Sequence, residues 1–285
     1  MPVPPAAARS IAGCGARGVC RTLEAGHTRG SIAMELNGRV ALITGASRGL
    51  GAAVVRRLAL RGARLVLTAR GAAALAEIAD AAGSLTEVVA LPGDVADRAH
   101  AARLVAAGVA RFGGIDVLIN NASTLGPTPM PSLAVLPSDE LEGIFRVNAA
   151  APLDLIQLVL PLMKAAGRGA IVNITSDAGV QAYPGWGGYG ASKAALEHLS
   201  RTLAAELAGS AISVFVVDPG DMDTQMHRDA EPGVDLSHLP GPEESAARLV
   251  QVVERERAPF GRFDLRTWIP AGERGDPVSA ERAGR

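Results

Sequence analysis

The sequence predicts a doubly wound α/β fold, a parallel sheet of seven strands with helices on both faces. Three observations predict it. From Arg39 onward, short β-branched runs alternate with longer Ala/Leu-rich segments of helical period. The runs are apolar without polar alternation, as strands covered on both faces require. A glycine-rich turn joins the first run to the first helical segment, and no repeat or low-complexity linker interrupts the later segments.

The first six runs are RVALIT (39–44), RLVLTA (64–69), EVVAL (87–91), DVLIN (116–120), AIVNIT (170–175) and AISVFVV (211–217). All six are expected to be buried on both sides, with crossover helices between them. GRFDL (261–265) is expected to be the last strand. Residues 34–270 are therefore expected to form one domain, and 271–285 have the composition of a flexible tail. Residues 1–33 show no sustained hydrophobic period, and Glu24 is their only acid. They read either as an acid-poor organelle leader or as an over-extended start, because MELNGRVALITG from Met34 already begins like a complete domain. The second alternative is preferred, so a chain begun at Met34 is expected to keep full activity.

Composition narrows the classes of function. The chain has 285 residues, 48% of them hydrophobic, and a formal net charge of -1 with acids and bases interleaved. No electrostatic footprint for nucleic acid or an anionic membrane stands out. Cys14 and Cys20 are the only cysteines, so the domain holds together by packing. The most apolar stretch, APLDLIQLVLPLM, contains Asp154 and Pro161 and falls short of the roughly 20 residues a membrane span needs. No transmembrane segment is expected, and the location is expected to be cytoplasmic. His227 and His238 are too far apart, without a matching carboxylate motif, to suggest a metal, and none is expected.

In doubly wound sheets ligands bind beyond the carboxyl ends of the strands. After the first run comes TGASRGLG, where Gly45, Gly49 and Gly51 allow a tight turn and a close approach to a pyrophosphate at a helix N-terminus. The second run ends in Ala69, where NAD-selective sites usually carry an acid for the ribose 2'-OH. Arg70 follows it and Arg48 lies in the glycine loop, so two guanidinium groups can flank a 2'-phosphate; the alternative is that both are solvated. Arg70 is expected to begin a helix, an unfavourable place for a cation without a ligand. NADP(H) is the expected cofactor, ahead of NAD(H). Asp94 after the third run suits an adenine amino group, and Asn120, Asn121 and Ala122 at the fourth suit a ribose; all are also common turn formers.

The fifth run leads to Ser176, followed thirteen residues later by Tyr189 and then by Lys193 at i+4 on one helix face. With two tyrosines and two lysines in 285 residues, random placement yields such a pair only about 0.01 times. A phenol can exchange a proton with an alcohol or carbonyl oxygen, but its ordinary pKa of about 10 makes it a poor base near neutrality. A neighbouring ammonium and an oxidised nicotinamide are expected to lower it. Ser176 is expected to hold the substrate oxygen. Tyr183, with Gly187 at its own i+4, reads as a pocket wall or as loop packing, and Trp186, Met222 and Met226 are candidate pocket walls with simple packing as the alternative.

TGASRGLG, NNA, Ser176, YGASK and PGDMDT, in this order and spacing, resemble the classical short-chain dehydrogenase/reductase family over residues 36–266. The TGxxxGxG pattern is that of the classical rather than the extended branch. The resemblance implies a Rossmann fold and an oxidoreductase interconverting a carbonyl and a secondary alcohol. It implies Asn148, in FRVNAA, as a fourth catalytic residue holding a water on a proton relay from Lys193. It further implies cofactor contacts from Ser47, Leu50, Val95, Tyr189 and Lys193, from Pro219 and Gly220 near the nicotinamide, and from Met222 and Thr224 near its carboxamide. A homodimer or homotetramer acting on a small molecule is implied. Ser123 replaces the glycine usual after NNA, a modest departure. The ending GRFDLRTWIPAGERG lacks the glycine pair of the family's fatty-acid ketoacyl reductases, so that activity is not assigned. The rival reading, a non-catalytic NADP(H)-binding regulator or scaffold, gives no reason to keep Asn148, Ser176, Tyr189 and Lys193 together. DMDTQMHRDAEPGVDLSHLPG (221–241) is expected to be a mobile loop over the substrate.

Overall fold

The computed structural model describes residues 34–270, all within one compact unit. The expectations for residues 1–33 and 271–285 lie outside the described residues. The sheet has seven parallel strands in the order β3-β2-β1-β4-β5-β6-β7. These are β1 (Val40–Thr44), β2 (Arg64–Ala69), β3 (Val88–Pro92), β4 (Val117–Asn120), β5 (Gly169–Ile174), β6 (Ile212–Asp218) and β7 (Phe260–Asp264). Each lies within a residue of its sequence-predicted run. The order reverses between β1 and β4, so the chain winds outward from this pair in both directions and opens a crevice at their carboxyl ends.

Alternate side chains of each strand feed two cores. On one face Ile43, Leu67, Val172 and Val217 pack against Val54 and Leu58 of α1 (Gly49–Ala59) and Leu249 and Val253 of α8 (Pro242–Arg255). On the other, Leu42, Val66, Ile171 and Val214 meet Leu104 of α3 (Arg98–Phe112), Leu155 and Val159 of α5 (Ala151–Ala166) and Ala204 of α6 (Gly187–Glu206). Burying a leucine such as Leu58 contributes about 1.5–3 kcal/mol. Capping sets where the helices begin and end. Asp97 accepts a hydrogen bond from the Ala99 N–H at 2.8 Å to start α3, and Gly113, with φ of 86°, ends it in the left-handed region.

Four expectations need correction. β3 is an edge strand and is only half-buried, because β2 alone pairs with it. Arg70 lies before α2 (Ala72–Gly83) rather than in its first turn, because Gly71 takes the cap position. The 221–241 segment is not simply a loop: Thr224 Oγ1 caps a short helix, α7 (Gln225–Ala230), by accepting from His227 N–H, and Asp223 pairs with Arg228. The apolar stretch around α5 is longer than the sequence suggested, since α4 (Ser138–Phe145), a π-helical turn (Arg146–Ala150) and α5 run on as one helical stretch of 29 residues. With a mean hydropathy of 1.4 it is long and apolar enough to cross a membrane. Here it is a layer of the fold: Leu155, Val159 and Met163 enter the core, and Asp154 pairs with Arg98 and Arg146.

Candidate active site

A cleft of about 960 Å³ lies along the carboxyl ends of the strands, at the reversal between β1 and β4. Every residue expected from the sequence to touch cofactor or substrate lines it, except Asn120, Asn148 and Tyr183.

Cross-ties between β1 and β4 shape its first end. Asn121 Nδ2 donates to the carbonyls of Thr44 (2.9 Å) and Gly45 (3.2 Å), while Thr44 Oγ1 accepts from the N–H groups of Asn121 and Ala122, both at 3.0 Å. Asn121 therefore holds the loop through its side chain. Asn120 faces the other way: it is buried and donates to Asn173 Oδ1 at 2.8 Å, so its expected place near a ribose is wrong. The glycine loop fits so tightly that a Cβ on Gly51 would lie 2.1 Å from the Gly45 carbonyl oxygen. The first turn of α1 has neither an acid nor a side-chain cap, which leaves its N–H groups for an anion. Arg48 and Arg70 are exposed at this end, and neither guanidinium makes an ion pair or hydrogen bond among the described residues. Asp94 is exposed nearby, one carboxylate oxygen accepting from Ala96 N–H at 2.8 Å. These features fit a phosphate-bearing dinucleotide.

The other end collects the groups expected to do chemistry. α6 begins at Gly187, so Tyr189 and Lys193 lie one turn apart near its start, both buried. Lys193 Nζ lies 5.4 Å from the centroid of the Tyr189 ring and donates to the Ile174 carbonyl at 2.9 Å. The hydroxyls of Ser123 and Ser176 flank the phenol. Ser176 Oγ also donates to Asp177 Oδ1 at 3.0 Å and accepts from Ala178 N–H at 3.2 Å, so it must exchange a local bond to serve a ligand. Trp186 stands edge-on to Tyr189 at 5.8 Å, and Met222 and Met226 complete the wall. Of its two expected roles Tyr183 takes loop packing: it stands outside the lining and donates to Asp177 Oδ2 at 3.0 Å.

Two features of this end bear on the expected proton transfer. Burial comes first and pushes the pKa of the Tyr189 phenol up, the charge of Asp218 adds to the rise, and the Ser123 and Ser176 hydroxyls oppose it. Burial also pushes Lys193 down to about 8, with Asp218 opposing. Desolvation therefore favours the neutral form of both groups. Asn148 cannot hold a water with its side chain. Its Oδ1 accepts from Thr124 N–H (2.9 Å) and Ser123 Oγ (3.1 Å), and its Nδ2 donates to Thr124 O and Ser192 Oγ, both at 2.9 Å. That fills the amide's capacity. Only its main-chain carbonyl is left for the role, and Pro152 lacks the N–H that a regular helix would aim at that carbonyl.

Two residues matter more than their sequence context suggests. Ser123 reads as a neutral replacement, yet it donates to Asn148 Oδ1 and lines the cleft with Tyr189. Asp218 has no place among the expected site residues, although an acid at the end of a buried strand, just before Pro219–Gly220, is a visible signal.

A family model described as short chain dehydrogenase matches residues 39–235. A rhamnolipid biosynthesis 3-oxoacyl-(acyl-carrier-protein) reductase from Pseudomonas aeruginosa is 37% identical over 202 residues, covering 68% of this chain and 76% of its own length. A 4-formylbenzenesulfonate dehydrogenase from Comamonas testosteroni is 35% identical over 231 residues, covering 81% and 86%. Among solved structures, a metagenomic short-chain oxidoreductase in complex with NADP superposes with a TM-score of 0.69 at 30% identity, covering 80% of this chain and 96% of the other. The chain belongs to the short-chain dehydrogenase/reductase family and is an oxidoreductase acting on CH–OH or carbonyl groups.

Proposed function

We propose that the protein is an NADP(H)-dependent oxidoreductase that interconverts a small-molecule ketone or aldehyde with its alcohol, with Tyr189 as the general acid and base. The observation that carries this is the Tyr189 side chain, buried but lining the cleft beside Ser123 and Ser176, with the Lys193 ammonium held 5.4 Å from its ring centroid. When bound, the nicotinamide supplies the hydride. This chain's residues supply the rest. Ser176 turns its hydroxyl from Asp177 to the substrate oxygen and holds it against Tyr189. A neutral phenol is the form needed to give a proton to the oxygen of a carbonyl being reduced, and burial keeps Tyr189 neutral. That favours reduction as the working direction. Lys193 stabilises the phenolate left behind, and the Asn148 carbonyl gives a water a place from which to return the proton. The wall of Trp186, Met222 and Met226 keeps bulk water away.

Arg48 and Arg70, without protein partners at the glycine-loop end, support NADP(H) over NAD(H). The names of the relatives cover a 3-oxoacyl-(acyl-carrier-protein) and a formylbenzenesulfonate, so they leave the substrate open. The test is Tyr189→Phe, followed by NADPH absorbance over a panel of ketones, aldehydes and secondary alcohols. Turnover should fall by at least about a thousandfold, within the range for loss of positioned acid–base catalysis, with NADPH affinity retained. Turnover within a few-fold of the parent would overturn the assignment.

A further inference from the structure

A buried ladder of charge runs beneath Tyr189 and Lys193, and the proposed mechanism uses only its top rung. Lys193 Nζ donates to the carbonyl of Ile174, whose register partner in β6 is Val217. Val217 points into the α1/α8 core, so the next residue, Asp218, points to the opposite face, where α6 lies. Asp218 is 3% exposed. Its Oδ1 accepts from Gly220 N–H at 3.1 Å, while its Oδ2 has no hydrogen-bond partner among the described residues. Arg262 Nη2 has none either, and these two atoms face each other at 3.7 Å. Arg262 Nε in turn donates to Glu197 Oε1 at 3.0 Å. Glu197, one turn after Lys193 on α6, also accepts from Thr175 Oγ1 and Arg201 Nη2, both at 2.9 Å. The signs alternate from Asp218 through Arg262 to Glu197, and Lys193 stands at the Asp218 end, tied to the Ile174 carbonyl on the neighbouring strand and without an ion pair to Asp218 within 4 Å.

A buried ammonium with one carbonyl acceptor is expensive to keep charged unless an anion stands near it. Resting on the role proposed for Lys193, we propose that Asp218 is a positioning residue: its buried carboxylate keeps Lys193 in the ammonium form beneath the catalytic phenol, acting through Lys193 and not on substrate. The surroundings leave this task to Asp218. Asp264 of β7 is held by a bidentate contact from Arg266. Asp177 accepts from the hydroxyls of Ser176 and Tyr183. Glu197 is shared between Arg201 and Arg262. Against the desolvation that pulls Lys193 down to about 8, Asp218 is the charge that raises it.

Because Lys164 and Lys193 are the only lysines, protein labelled with 13C at the lysine ε carbon gives one signal for each, assigned with Lys164→Arg. In the parent protein the Lys193 signal should titrate near 8. In Asp218→Asn its midpoint should fall by about one pH unit, the lower end of what a nearby opposite charge does, with Asp218→Glu restoring it. A midpoint unchanged in a folded Asp218→Asn protein overturns the proposal. If that variant does not fold, Arg262→Gln serves instead: loss of the guanidinium leaves Asp218 less compensated, so the Lys193 midpoint should rise, and an unchanged or lowered midpoint overturns the proposal. The titration needs neither cofactor nor turnover, so a failure of the Tyr189 assignment shows separately, as turnover retained in Tyr189→Phe.

Discussion

Lys193 and Tyr189 are both held in their less favoured surroundings for charge, and this has a cost in stability. Desolvation takes Lys193 from 10.5 in the unfolded chain to about 8. Between pH 8 and 10.5 the unfolded chain therefore binds a proton that the folded one has released. The penalty is full below pH 8 and fades as pH rises to 10.5, where it amounts to about 3 kcal/mol recovered. Tyr189 works with the opposite sign: its folded pKa is raised, so above pH 10 the unfolded chain ionises first and stability falls. Lys193→Met removes the lysine penalty but leaves the Ile174 carbonyl without its donor, at a cost of about 1 kcal/mol. The variant should thus gain about 2 kcal/mol at pH 7 in urea denaturation, lose the gain by pH 10.5, and show no measurable NADPH turnover. The Tyr189–Lys193 pair was legible in the sequence because one helical turn joins its members. The part of Ser123 was not: it meets Asn148 from 25 residues away, through a contact that only the packing of the β4 loop against the helical stretch creates.

At the scale of elements, the helix from Ser138 to Ala166 shows what a single imino acid does. Through the π-helical turn the Ala151 N–H reaches back five residues to the Arg146 carbonyl, and Pro152 contributes no N–H at all. The break sits where Asn148 is tied to Ser192, whose own hydroxyl donates to the Tyr189 carbonyl at 2.6 Å. The bulge thereby fixes the helical stretch to the start of α6. Pro152→Ala restores a donor aimed at the Asn148 carbonyl. It should lower kcat several-fold while leaving the melting temperature equal or higher, since regular helix is regained; unchanged kcat would show that this carbonyl plays no part in proton return. Pro152 is plain in the sequence, but the bulge depends on how the helix must reach both the sheet and α6. The same holds for α7. Its residues read as a Pro- and Gly-rich loop, and what makes a helix of them is the Thr224 cap and the Asp223–Arg228 pair.

Across the whole molecule, the doubly wound topology was legible to within a residue at every strand because the runs carry their own periodicity. The cleft was legible as well, because the strand reversal at β1 and β4 dictates where it opens. What the topology does not dictate is how charge is shared along the cleft. Its glycine-loop end presents Arg48, Arg70 and the uncapped N-terminus of α1, whereas Asp177, Asp218 and Asp221 gather at the end near Tyr189. Such a field would draw a dinucleotide carrying an extra phosphate to the first end and orient it before any close contact forms. If the two arginines hold the 2'-phosphate, they do so as exposed guanidinium groups, each giving about 1.5 kcal/mol, the low end for a charged hydrogen bond. Arg70→Ala should then lower kcat/KM for NADPH about tenfold and leave that for NADH within twofold, and the double variant Arg48→Ala/Arg70→Ala should bring the two cofactors close to parity. Steady-state kinetics with both cofactors, repeated at raised salt, checks this. Equal losses for NADPH and NADH would place the arginines on the shared pyrophosphate instead and remove the charge argument for NADP(H) over NAD(H).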